Sequence, residues 1–133
     1  MNVELEKCLA NNDVEFHCLM DIDDFSLYNL KYSFEKGNVI LTRISEIAKE
    51  FLNPKYWIYL GSDEYYFSAT KDWSEKDSSI FKFMQKIKSE LKITVSIGIM
   101  TVDRNILPKE VFGILRNNVT NAKLNGKNSI YSL

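Results

Sequence analysis

The sequence predicts an α+β domain built on a mainly antiparallel sheet, with helices packed on one face of it. Three observations carry that expectation. Short apolar runs rich in aromatic and β-branched residues alternate with stretches of helical periodicity along the whole chain. Two aromatic-rich runs flank a Gly-Ser pair at 61–62, a hairpin signal. No repeat, low-complexity tract or linker interrupts the pattern, and 133 residues fit one domain, 1–133.

In chain order, Val3, Leu5, Cys8 and Leu9 give a short, weakly amphipathic helix, broken by the polar residues at 11–13. Residues 14–20, VEFHCLM, read as a buried strand. Ile40, Ile44, Ile47, Ala48 and Phe51 repeat at helical spacing over 37–52, and Asn53-Pro54 ends that helix. The hairpin occupies 56–69. Ile80, Phe81, Met84, Ile87 and Leu91 place a helix over 75–91. Residues 92–100 alternate Ile93, Val95, Ile97 and Ile99 with polar or small residues, which predicts a strand with one half-exposed face. Pro108 opens a last helix carrying Val111, Leu115 and Ala122, and Asn125-Gly126 reads as its C-cap. A closing strand follows at 129–133.

Composition excludes several classes. Seventeen basic against eighteen acidic residues give a net charge of −1, so no general DNA- or RNA-binding surface is expected. Cys8 and Cys18 lack metal-ligand spacing and sit in apolar context, as buried free thiols do. The single histidine, His17, lies inside a strand and reads as structural, so a His-based zinc site or a His-dependent triad is not expected. With neither a signal peptide nor an apolar run long enough to span a bilayer, a soluble, cytoplasmic protein without membrane contact is expected.

The chemistry concentrates where the first strand ends. Residues 18–24, CLMDIDD, drive an apolar run into Asp21, Asp23 and Asp24. Asp21 and Asp23 share a side at period two. The hairpin turn brings Asp63 and Glu64. If the two strands are neighbours, four carboxylates meet at one end of the sheet. Such a cluster is costly unless a cation neutralises it, and all-oxygen ligands suit Mg²⁺ or Mn²⁺. Two such ions roughly 4 Å apart are the usual device of nucleotidyl transfer. Each motif taken alone is also an ordinary turn. Lys123 and Lys127, astride the C-cap, equally suit the helix dipole or a triphosphate, and spacing alone favours the dipole.

Three stretches then resemble one family in order and spacing: DIDDFSLYN at 21–29, GSDEYYF at 61–67, and ITVSIGI at 93–99 followed by AKLNGKN at 122–128. The chain is similar to the GGDEF family, the diguanylate cyclases, from about residue 14 to 131. By its size and departures it also resembles the minimal CRISPR polymerases of anti-phage defence, which share the palm-like fold. The resemblance implies a ferredoxin-like palm. It implies that Asp21 binds both metal ions (Mg²⁺ or Mn²⁺), Ile22 lends a backbone carbonyl and Asp63 is the second metal carboxylate. Glu64 lies near metal and ribose as a third catalytic acid. The backbone amides just after Asp23, reaching Phe25, hold the triphosphate with Lys123 and Lys127. Asn29 falls on the base-reading position and Asn38 on a position where the cyclases carry Asp.

The implied reaction condenses two nucleoside triphosphates, ATP or GTP, into a cyclic dinucleotide read by an effector. One nucleotide site per chain makes a homodimer the expected partner. Several residues depart from the family pattern. Asn38 replaces an acid that accepts from guanine, which opens the site to adenine. Ser26 stands for a phosphate-binding Lys, Leu30 for Asp, and Ser62 for the second Gly of the turn. The RxxD motif before the turn is replaced by Leu52 and Lys55. These departures favour an alternative reading, a degenerate domain that binds nucleotide or cyclic dinucleotide as a sensor without catalysis.

Overall fold

The protein is described from a computed structural model, which covers residues 1–11, 13–70 and 78–132. Five strands form one sheet in the order β2-β3-β1-β4-β5. They are β1 (Phe16–Ile22), β2 (Trp57–Gly61), β3 (Glu64–Ala69), β4 (Val95–Thr101) and β5 (Ile130–Tyr131). The helices are α1 (Val3–Leu9), α2 (Phe25–Lys31), α3 (Phe34–Phe51), α4 (Ser79–Leu91) and α5 (Pro108–Leu124). All strand pairings are antiparallel except β4 with β5. The predicted α+β class and mainly antiparallel sheet are observed. Residues 75–77 of the helix expected over 75–91 and Leu133 of the closing strand lie outside the described residues.

Helices cover both faces, not the one face expected. Cys18, Met20 and Ile22 of β1 pack with Ile40, Ile44 and Ile47 of α3 and Phe83 and Ile87 of α4. Leu19, on the other side of the same strand, packs with Tyr66, with Leu5 and Leu9 of α1, and with Val111, Leu115 and Val119 of α5. A central strand with apolar residues on both of its sides cannot leave one face to water. β4 obeys the same rule. Its small residues, read as half-exposed, lie under α5 with Ser96 fully buried. At Gly98 the helix comes so near that a Cβ would sit 2.7 Å from both the Leu115 carbonyl oxygen and the Val119 nitrogen.

Short polar residues start three helices. Asn2, Ser33 and Ser78 each accept a backbone N–H of the first turn, from Leu5, Lys36 and Phe81. The sequence reading missed α2. It spans seven residues, has no side-chain cap, and buries only Phe25, so it shows neither a start signal nor a repeating apolar face. Its aromatic rings hold it instead, Phe25 stacking on Tyr28 and Tyr28 lying 4.6 Å from Tyr32.

Candidate active site

The β1–β3 ladder sets the site. Asp21 stands opposite Glu64, and the Ile22 N–H donates to the Asp63 carbonyl oxygen at 3.0 Å. The first strand and the hairpin turn are therefore neighbours, and the Asp63 carboxyl comes close enough to Asp21 to act on its charge. The Asp21 carboxyl is pushed up to about 7. Burial is the main cause, the Asp63 carboxyl the next, and Lys123 opposes both. Two carboxyl groups in one partly dry site cannot both carry charge cheaply, so Asp21 holds its proton to a higher pH than a free carboxyl. Lys123 Nζ lies 3.2 Å from Asp21 Oδ1.

The expected meeting of four carboxylates does not occur. Among the described residues no three His, Cys, Asp or Glu side chains gather as a metal cluster. Asp23 is captured elsewhere. It is buried and accepts from the Thr94 and Ser96 hydroxyls, each at 2.7 Å, and from the Asn128 backbone N–H at 3.0 Å. Glu64 accepts from Arg116 at 3.3 Å. Asp24 takes a left-handed conformation, φ 57°, and pairs with Lys127 at 2.7 Å. What remains is a two-carboxylate pair with oxygen donors only. Asp21 Oδ1 is buried without a hydrogen-bond partner among the described residues, and a hard divalent cation would supply the charge it lacks, so the residues present fit such an ion.

The turn itself is tied down. Gly61 and Ser62 both have left-handed φ, 100° and 54°. The Tyr59 hydroxyl donates to the Ser62 carbonyl oxygen at 2.8 Å and holds the serine in a backbone region that glycine occupies more easily.

Two concavities flank the acid pair. One, about 360 Å³, is walled by Phe25, Leu30 and Phe34 and rimmed by Asn29, Ser62 and Asp63. Asn29 Oδ1 is buried without a hydrogen-bond partner among the described residues. Gly37 makes room for that amide, since a Cβ there would lie 2.0 Å from Asn29 Oδ1. Asn38 is exposed on α3 and is not part of this lining. The second concavity, about 380 Å³, opens between the acids Asp21 and Glu64 and the α5 residues Arg116, Thr120 and Lys123. The structure thus brings Asp21, Ile22, Asp63, Glu64 and Lys123 to one end of the sheet, with Phe25 and Asn29 beside them and Lys127 held by Asp24. The sequence reading passed over Arg116 and Phe34. Arg116 was legible as a cation seven residues before Lys123, two turns along one helix face.

Comparison with known proteins follows the same lines. No protein-family profile matches the chain. Its curated relatives include an uncharacterized membrane protein of Staphylococcus saprophyticus, 25% identical over 125 residues, and one of Staphylococcus epidermidis, 23% identical over 125 residues. Each match takes in 84% of this chain and 35% of the relative, so the chain spans about a third of their length. Their names overturn the expectation of a soluble, cytoplasmic protein. Among the described residues, no helix is long and apolar enough to cross a membrane.

Among solved structures, the GGDEF domain of DgcB from Caulobacter crescentus, in complex with c-di-GMP, superposes with a TM-score of 0.80 at 16% identity. That match covers 97% of this chain and 85% of the other. The active GGEEF domain of a diguanylate cyclase from Vibrio cholerae superposes with a TM-score of 0.70 at 16% identity, covering 97% and 91%. A microbial GGDEF domain studied for its interaction with cyclic di-GMP gives 0.80 at 17% identity, covering 97% and 88%. The chain has the GGDEF-domain fold.

Proposed function

We propose that this domain is a divalent-metal-dependent nucleotidyltransferase that condenses two nucleoside triphosphates into a cyclic dinucleotide. The observation that carries the reading is the Asp21–Asp63 carboxyl pair, held together at a strand end where burial and mutual repulsion raise Asp21 to about 7. A domain without use for a cation gains nothing from that juxtaposition. The fold it shares with diguanylate cyclase domains supports the same reading.

Asp21 and Asp63, with the Ile22 carbonyl, would hold Mg²⁺ or Mn²⁺. Bound there, the metal would make the attacking hydroxyl more acidic and offset the charge of the leaving pyrophosphate. The chain's own residues do the rest. Phe25, Leu30 and Phe34 give an apolar slot for a base, and Asn29 supplies its one buried amide. The slot takes adenine or guanine, and Asn38, exposed on α3, does not line it. Lys123 and Lys127, now paired with Asp21 and Asp24, turn to the triphosphate, and Glu64 faces the reacting end.

In each transfer a 3′- or 2′-hydroxyl oxygen bonds to the α-phosphorus of the other nucleotide. The α–β phosphoanhydride bond breaks, its electron pair leaves with pyrophosphate, and the hydroxyl proton passes to solvent. Two transfers close the ring. With one nucleotide slot per chain, two copies face each other, at least transiently, to complete it. The product is a signal for an effector, in the manner that the resemblance to the defence-associated polymerases implies.

Incubation of the protein with each NTP, singly and mixed, with Mg²⁺ or Mn²⁺, tests the reading by mass spectrometry of the products. A cyclic dinucleotide that disappears in Asp21→Ala and Asp63→Ala is the expected result. Absence of product from protein that still binds an NTP would replace the enzyme with a nucleotide sensor.

A further inference from the structure

The α5 side of the acid pair carries a row of polar side chains of which the motifs account only for Lys123. Arg116, Thr120 and Lys123 stand at i, i+4 and i+7, one face of the helix, along the concavity of about 380 Å³. Seven residues at about 1.5 Å each span about 10 Å, and the outer oxygens of a triphosphate cover a similar length.

We propose that this concavity is a phosphate site in which Arg116, with Thr120 and Lys123, contacts the terminal phosphates of the bound nucleoside triphosphate. The inference rests on the nucleotidyl-transfer reading above and adds a residue to it.

Four features support it. First, the Arg116 side chain is 58% exposed, and its tie to Glu64 is one bond of 3.3 Å. Pairs of that kind hold a fold together weakly. Second, the Phe112 ring lies 4.9 Å from the guanidinium and supports it, which restricts the side chain and lowers the entropy lost when it grips an oxygen. A guanidinium fork matches two phosphate oxygens at once. Third, among the described residues the Thr120 hydroxyl donates to the Arg116 carbonyl within its own helix, at 3.1 Å, so it can turn to a ligand at little cost. Fourth, the charges are arranged for exchange. Lys123 answers Asp21 and Arg116 answers Glu64 across the same opening. A divalent cation on Asp21 would free Lys123 to turn to an anion, while the single exposed contact of Arg116 with Glu64 yields to the same anion at little cost. Cation and phosphate therefore favour one another's binding.

Calorimetric titration tests the site. The probes are non-hydrolysable ATP and GTP analogues with Mg²⁺, the matching nucleosides, and pyrophosphate with Mg²⁺. Arg116→Ala is expected to weaken the preferred analogue and pyrophosphate about tenfold, the loss of one charge-assisted contact. Arg116→Lys should recover part of that loss. Nucleoside affinity and the melting temperature should stay as in the wild type, which a merely structural Arg116–Glu64 bridge would not predict. Arg116→Ala that binds the analogue and pyrophosphate as tightly as wild type overturns the proposal and leaves the nucleotidyl-transfer reading standing. Wild type that binds pyrophosphate through Arg116 but no analogue keeps the phosphate site and discards the nucleotide. Wild type that binds none of the phosphates overturns both.

Discussion

Asp21 and Asp23 are two residues apart at the end of one strand, and their surroundings could hardly differ more. Asp23 is buried and receives three hydrogen bonds, from Thr94, Ser96 and Asn128. Those residues come from the β4 entry and from the segment after α5, so one carboxylate ties three distant parts of the chain together. Asp21 is half-buried against another carboxyl group and one lysine. The first arrangement stabilises the native state. The second costs stability, as strained functional arrangements do, and on the proposed function a bound cation would offset that cost.

The sharpest way to break the contrast is Asp23→Ala. It leaves two hydroxyls and an amide without their acceptor, and should cost ~3 kcal/mol or more. Urea unfolding of the two single variants measures it. A loss no larger than that of Asp21→Ala would remove the distinction.

A third buried titratable group gives a second test. His17 has one partner, the Tyr66 hydroxyl at 2.7 Å, and burial lowers it from 6.5 to about 4. Between those values the unfolded chain binds more protons, so this contribution, up to ~3 kcal/mol, is complete above pH 6.5 and is lost as pH falls toward 4. Asp21 acts in the opposite sense. Its native carboxyl holds a proton up to about 7 while the unfolded one releases it near 3.8, so its penalty fades as pH falls. The two offset one another in the wild type between pH 7 and 5. Asp21→Asn should lose stability steeply across that range, and His17→Gln should gain it. Denaturation midpoints at pH 7.5, 6 and 5 would show these slopes; parallel curves for all three proteins would refute the opposition.

The smallest effect is expected from Asp21→Asn at pH 7.5. Removing the like charge should leave stability unchanged or raise it by about 1 kcal/mol, while any Mg²⁺-induced rise in melting temperature disappears. A large destabilisation would return Asp21 to the same class as Asp23.

What the sequence made legible follows from range. The strand running into Asp21, the hairpin at 56–69 and the Pro108–Gly126 helix with its cap are local patterns, and each is where it was expected. The neighbouring of Asp21 and Asp63 was conditional on strand pairing, and the aromatic runs made that pairing a reasonable expectation. Asp23 was misjudged because its partners lie 71 to 105 positions away, beyond any periodicity. The coverage of the second sheet face was missed because Ser96 and Gly98 look solvent-facing until α5 is laid on them. Helix α2 was missed because aromatic stacking, not an amphipathic stripe, holds it.

That close seating of α5 on Gly98 has a mechanical side. With the α5 backbone and Asn118 Cβ seated directly on Gly98, the helix cannot slide along β4 without collision. A slip of one residue would swing every α5 side chain by about 100° and carry Arg116 and Lys123 off the rim together. Gly98 therefore works as an indexing notch. A residue without a side chain sets where two cations about two helical turns apart come to rest, and the charge spacing along the rim becomes a property of the backbone.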